Sequence, residues 1–200
     1  MNDNAADREL QRARELLGQR KYQQARDAAQ KVLDRDAANI EAWLVMGTIQ
    51  GNLKDYDKAL KAADRVLEIK SGESAAWILK ARALRSLNRR SEWLDAATQG
   101  VEADPGNVTL IALRGTAFIS LGKQEEALEL ADRAIEIAPD SHEGWLLKAH
   151  ALRNLGRHAE ALTASNTAWK LRPQSTVSSW RRFLRRVRRL IYRRASRDTA

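Results

Sequence analysis

The apolar positions of the chain recur with a long period. EAWL at Glu41–Leu44, AAWI at Ala75–Ile78 and EGWL at Glu143–Leu146 place Trp43, Trp77 and Trp145 at separations of 34 and 68 residues, one period and then two. The missing member falls at Ile111, and Gly115 after it matches Gly47. Ala25, Ala59, Ala127 and Ala161 share a second column, and Ala37, Ser71, Pro105, Pro139 and Pro173 share a third. Gly122 and Gly156 mark a bend inside the unit, and Asn39, Asn107, Ser141 and Ser175 recur just after the Pro column, where an N-cap belongs. The pattern predicts a repeating helix, short turn, helix and stop.

A unit with a Trp, a large–small pair, a central Gly, an Ala-rich second helix and a terminal Pro resembles the tetratricopeptide repeat (TPR). The resemblance covers residues 6–175 and places units at 6–39, 40–73, 74–107, 108–141 and 142–175. The first unit lacks the Trp, the Gly and the Pro and keeps register through Tyr22 and Ala25. The resemblance implies an all-α fold, a right-handed α-solenoid whose stability comes from stacking neighbours. Small residues at Gly47, Ala81, Gly115 and Ala149 are expected to let the two helices of a unit approach closely. Unit three departs from the pattern, with Trp93 in the Ala column and Gly100 where other units carry Val or Ala. Two readings stand: a large-for-small exchange inside the core, or an exposed Trp93 that anchors a partner.

Charge separates the C-terminal segment from the rest. Of a net +9, the stretch from Arg181 to Ala200 contributes nine Arg against Asp198, or +8, leaving +1 for everything before it. Trp180, Phe183, Leu184, Val187, Leu190 and Ile191 recur at helical steps between Arg181, Arg182, Arg185, Arg186, Arg188 and Arg189, and Arg193, Arg194 and Arg197 follow. This predicts an amphipathic helix over 176–195 that caps the solenoid, with a disordered end at 196–200. After a one-residue insertion, Trp180, Phe183, Leu184 and Val187 fall on the columns of another first helix. Capping does not require nine Arg and no Lys, so three further partners suit the segment: an acidic protein, an anionic membrane surface, or nucleic acid.

In TPR proteins the first helix of each unit lines the concave surface, and the resemblance carries those positions over. The fifth positions are Leu10, Leu44, Ile78, Ala112 and Leu146; the ninth are Arg14, Thr48, Arg82, Thr116 and His150; the twelfth are Leu17, Gly51, Arg85, Ile119 and Arg153. An apolar stripe edged with Arg implies a protein or peptide partner with apolar anchors and acidic flanks. The carboxylate clamp of heat-shock co-chaperones is absent, because its positions hold Leu10, Arg14, Val45, Ala75 and Leu79 in one frame and Ile78, Arg82, Leu113, Glu143 and Leu147 in the other.

Catalytic chemistry finds no foothold in the sequence. There is no Cys, no Gly-rich phosphate loop and no nucleophile elbow, and His142, His150 and His158 lie eight residues apart, too far for an i, i+4 metal pair. They read as ordinary surface histidines, and no enzyme activity, metal or cofactor is expected. The N-terminus MNDNAADREL is not a secretory signal, and no apolar stretch is long enough to span a bilayer. The expectation is a bacterial, cytoplasmic adaptor, with peripheral attachment at the inner membrane face and self-association as alternatives.

Overall fold

The computed structural model describes residues 3–172, and the segments 176–195 and 196–200, with all nine tail arginines, lie outside the described residues. Among the described residues ten helices follow one another: α1 (Asp3–Gly18), α2 (Tyr22–Leu33), α3 (Ile40–Asn52), α4 (Tyr56–Ile69), α5 (Ser74–Ser86), α6 (Arg90–Ala103), α7 (Val108–Ser120), α8 (Gln124–Ile137), α9 (His142–Asn154) and α10 (His158–Leu171), with no strand. The helix α1 starts at Asp3, ahead of the expected unit start at 6.

Each helix packs on its chain neighbours, and the odd-numbered helices also touch one another in series: α1 on α3, α3 on α5, α5 on α7, α7 on α9. Among the described residues the even-numbered helices make no such contacts. Helices crowded on one side and separated on the other curve the stack, so the odd-numbered helices form its inner face.

Local sequence chemistry explains where helices start and turn. Asn39, Asn107 and Ser141 accept at their side chains from the backbone N–H groups of Ala42, Leu110 and Gly144, as N-caps do. Ser175 lies outside the described residues. The bend is left-handed in all five units, at Arg20, Lys54 and Asn88 as well as at Gly122 and Gly156, with φ between 58° and 78°. Only the last two carry the residue for which that conformation costs nothing.

Two of the repeating columns are hydrogen-bond partners. The indole Nε1 of Trp43, Trp77 and Trp145 donates to the carbonyls of Ala37, Ser71 and Pro139 at 2.8 Å in each case. The Trp thus fastens its helix to the loop that leads into it. In unit four Ile111 cannot donate, and the carbonyl of Pro105 accepts from Arg133 Nη2 at 3.2 Å instead.

The small-residue column works chiefly between units. A Cβ on Gly47 would stand 2.3 Å from Leu79 Cδ2 and 3.1 Å from Ala62 Cβ, and one on Gly115 would stand 2.4 Å from Leu147 Cδ2. Ala62 belongs to the same unit, as expected, but the closest atoms belong to the first helix of the next. The close approach expected within a unit is present at Gly47, and the tighter contact is with the next unit, where Leu79 and Leu147 are knobs that need the gap.

Trp93 is buried, at 4% exposure, so the reading in which it anchors a partner from the surface is overturned. Its exchange partner is also different from the one expected. A Cβ on Gly100 would meet Leu110 Cδ2 at 2.7 Å and Trp77 Cβ at 2.9 Å, while Trp93 is not among its nearest atoms. Leu110 stands in the column occupied by Ala42, Ala76 and Gly144, so the extra volume that Gly100 accommodates is that of Leu110.

Adjacent units are also joined by ion pairs that the repeat only partly preserves. Lys80 reaches Asp64 at 2.7 Å and Lys148 reaches Asp132 at 2.6 Å, each linking a second helix to the next first helix. At the junction between, Arg114 occupies the cation position but Thr98 replaces the acid. Arg114 lies 5.5 Å over the Phe118 ring and its Nε is buried without a partner. Thr98→Asp is expected to supply the missing acid and raise stability by roughly 0.2–1 kcal/mol, the range for partly exposed pairs. Urea unfolding midpoints at low and high salt measure it, and a gain that ignores salt would rule out an ion pair as its cause.

Candidate partner-binding groove

On the inner face, the gaps between odd-numbered helices open into two neighbouring clefts. The first, of about 410 Å³, lies between α3 and α5 and is bounded by Thr48, Gly51, Tyr56, Ile78, Leu79 and Arg82. The second, of about 290 Å³, runs across α5, α7 and α9, with Arg82, Arg85, Ala112, Thr116, Leu146 and His150 on its walls. Arg82 lines both. The helical period puts it there: Ile78 and Arg82 are four residues apart on one face of α5, and Arg85 follows three residues on.

The charged groups differ between the two, Arg82 alone in the first and Arg82 and Arg85 with Glu143 in the second. The side chains of Arg82 and Arg85 are exposed, and among the described residues neither has a carboxylate within ion-pair distance. Glu143 is the acid on the wall of the second cleft, and it accepts from Ser141 Oγ at 3.2 Å. Burial, and then the nearby positive charge of Arg153, lower the pKa of His150 below the ordinary imidazole value. At neutral pH the ring is therefore an uncharged hydrogen-bonding group. The hydroxyls of Thr48 and Thr116 donate to the carbonyls of Leu44 and Ala112 on their own helices at 2.8 and 2.7 Å. Each threonine thereby presents its methyl group as well as an oxygen.

The residues predicted for the groove divide into those the clefts gather and those they do not. Thr48, Gly51, Ile78, Arg82, Arg85, Ala112, Thr116, Leu146 and His150 line one cleft or both. Arg14 and Leu17 lie apart, beside Tyr22 at the N-terminal end, and Arg14 is paired with Glu41 across α1 and α3. Leu10 is buried at 4% exposure within the N-terminal core and offers the groove almost nothing, which corrects its assignment. Leu44 and Ile119 are half-buried on α3 and α7, and Arg153 is exposed on α9. The sequence-based set omitted Ala75, Thr109 and Glu143, which line the clefts from the second position of their helices. The same period would have found them.

The histidines are not alike. His158 is exposed, but His142 is half-buried, its Nδ1 2.8 Å from the carbonyl of Ala168, which ties the start of α9 to the end of α10. His150 faces the second cleft. The expectation of three ordinary surface histidines holds for His158 alone.

A curved stack of helix pairs with clefts along its inner face defines an α-solenoid repeat scaffold. Models of the tetratricopeptide repeat match residues 16–92, 78–142 and 112–176. The chain belongs to the tetratricopeptide-repeat family. Repeats of this family are in general scaffolds for protein–protein contact.

No functionally curated protein matches the sequence. Solved structures share the fold. The chain is similar to TTC0263, a thermophilic TPR protein of Thermus thermophilus, with TM-score 0.75 and 18% identity over 88% of this chain and 96% of that one. It is similar to PilF of Pseudomonas aeruginosa, with TM-score 0.74 and 15% identity over 86% and 78%. It is also similar to MamA of Desulfovibrio magneticus RS-1, with TM-score 0.70 and 18% identity over 86% and 97%.

Proposed function

We propose that this protein is an adaptor that holds an extended or helical peptide of a partner protein along its inner face. An apolar side chain of the peptide enters the α3–α5 cleft against Ile78 and Leu79, and an acidic residue beside it meets Arg82 and Arg85. The observation that carries this reading is the position of Arg82 on the wall shared by the apolar α3–α5 cleft and a second cleft that also holds Arg85. Arginine suits that place because its planar fork binds a carboxylate through two parallel hydrogen bonds while its stem lies on apolar surface.

Selection from a random peptide library is expected to enrich an apolar residue followed within a few positions by Asp or Glu. The joint substitution R82E/R85E is expected to weaken the selected peptides at least tenfold, about 1.4 kcal/mol, without altering the helical circular dichroism. Anisotropy titrations with the enriched peptides make the measurement. Equal or tighter binding by the charge-reversed chain would remove the acidic flank from the proposal, and no enrichment at all would remove the groove.

A further inference from the structure

Two columns of the inner face form an ion pair at one junction and hold its halves apart at two others. Arg14, in the ninth position of unit one, pairs with Glu41, in the second position of unit two, and the pair spans α1 and α3. The same two columns supply Thr48 and Ala75 at the next junction, then Arg82 and Thr109, then Thr116 and Glu143. Thr48 and Ala75 carry no charge and line the α3–α5 cleft. At the α5–α7 junction the cation stands without its acid, and at the α7–α9 junction the acid stands without its cation. Along the inner face the junctions therefore read closed, apolar, cationic and anionic.

The separated halves face one cleft. Arg82, Thr109, Thr116 and Glu143 all line the second cleft. Among the described residues neither Arg82 nor Glu143 has an opposite charge within ion-pair distance, and both side chains are exposed. They do not reach each other because α7 lies between their helices, touching α5 on one side and α9 on the other. Arg85 stands on the Arg82 side of the cleft. His150, on the same helix as Glu143, is uncharged at neutral pH and gives the carboxylate no counter-charge.

We propose that the partner peptide carries a basic side chain as well as an acidic one, and that Glu143 selects it. The acid completes Arg82 and Arg85, a Lys or Arg completes Glu143, and the apolar anchor lies beyond the acid in the α3–α5 cleft. Packed helix axes are about 8–10 Å apart and an extended chain advances about 3.3 Å per residue, which puts acid and base about three to six residues apart. The inference rests on the adaptor reading and adds to it an order of residues, apolar, acidic, basic, that fixes the direction of the peptide. With the two charges exchanged, a peptide sets an acid against Glu143 and a base against two arginines, so repulsion adds to the lost attraction.

Peptides enriched from the random library on the full chain, labelled and titrated by anisotropy, are the probe. They are expected to carry Lys or Arg on the side of the acid away from the apolar residue. E143K is expected to weaken them about fivefold or more, and versions with that Lys or Arg changed to Glu are expected to regain the loss on E143K alone. Peptides that R82E/R85E weakens but that lack the basic residue, or bind E143K unchanged, would overturn this inference and leave the adaptor reading standing. Peptides indifferent to both variants overturn the two together. Should E143K lose helical circular dichroism, E143Q takes its place. The preference for Lys or Arg over Glu at that peptide position is then expected to fall to within about twofold, and a preference of undiminished size would equally overturn the selection by Glu143.

Discussion

Gly100→Val is expected to destabilise the solenoid by about 1–3 kcal/mol, the usual cost of overpacking a core. Valine is the better helix residue, so any net loss must come from packing. The added branches would overlap Leu110, whose Cδ2 is already 2.7 Å from where a Cβ would stand. Trp77 Cβ would stand 2.9 Å away as well, but unit two carries the matching Trp43 and Val66 with Ala76 in the Leu110 column, so Leu110 is the obstacle that unit two lacks and a small shift of α5 admits the Val. Leu110→Ala alone removes a fully buried side chain and is expected to cost about 2–5 kcal/mol. Combined, the two substitutions restore the arrangement of unit two. Gly100→Val is then expected to become neutral or stabilising, a coupling of about 1–3 kcal/mol. Urea unfolding of all four proteins gives the cycle. Additive costs within about 0.5 kcal/mol would show that Gly100 and Leu110 do not share their space.

Leu147→Ala is expected to cost about 2–5 kcal/mol, because Leu147 is 1% exposed and fills the gap over Gly115 between two units. A loss there weakens an inter-unit interface, and in a solenoid such interfaces carry much of the stability. The adjacent Leu146 gives the contrast. It is half-buried on the wall of the second cleft, and its truncation is expected to cost about 1 kcal/mol or less in stability while weakening the groove peptides. Unfolding midpoints and peptide titrations on both variants separate the two roles. Equal stability losses would mean that Leu146 is a core residue and not part of a binding wall.

Much of the scaffold was legible because the repeat samples the same structural constraint several times. Trp43, Trp77 and Trp145 show by recurrence alone that something at the start of each unit needs them, and Asn39, Asn107 and Ser141 announce their caps. What those columns do was not legible. The indole donates to the carbonyl of another recurring position, a contact between two residues whose partnership no spacing reveals. The left-handed bend was read at Gly122 and Gly156; Asn88 is also a residue type that adopts it, whereas Arg20 and Lys54 take the same φ with no residue type to signal it.

The groove was legible in part for a related reason. Helical period decides that Ile78, Arg82 and Arg85 share a face, so their proximity follows from the sequence. Whether that face is open is a matter of depth, and depth depends on neighbours in space. The period treats Leu10 and Ile78 alike, yet the first is packed into the N-terminal core and the second is half-buried on a cleft wall.

The sequence by itself determined the helices of the five units, their pairing, the caps, and the separation of nearly all net charge into one terminal segment. These follow from local rules, in which period, capping chemistry and composition act over a few residues or repeat at a constant interval. Only the tertiary structure decided that the small-residue column serves the next unit, that Gly100 answers Leu110, that Trp93 is buried, and that the clefts meet at Arg82. Those facts concern volume and depth between segments about ten to seventy residues apart in the chain, where close packing leaves room for one arrangement and no local pattern encodes it.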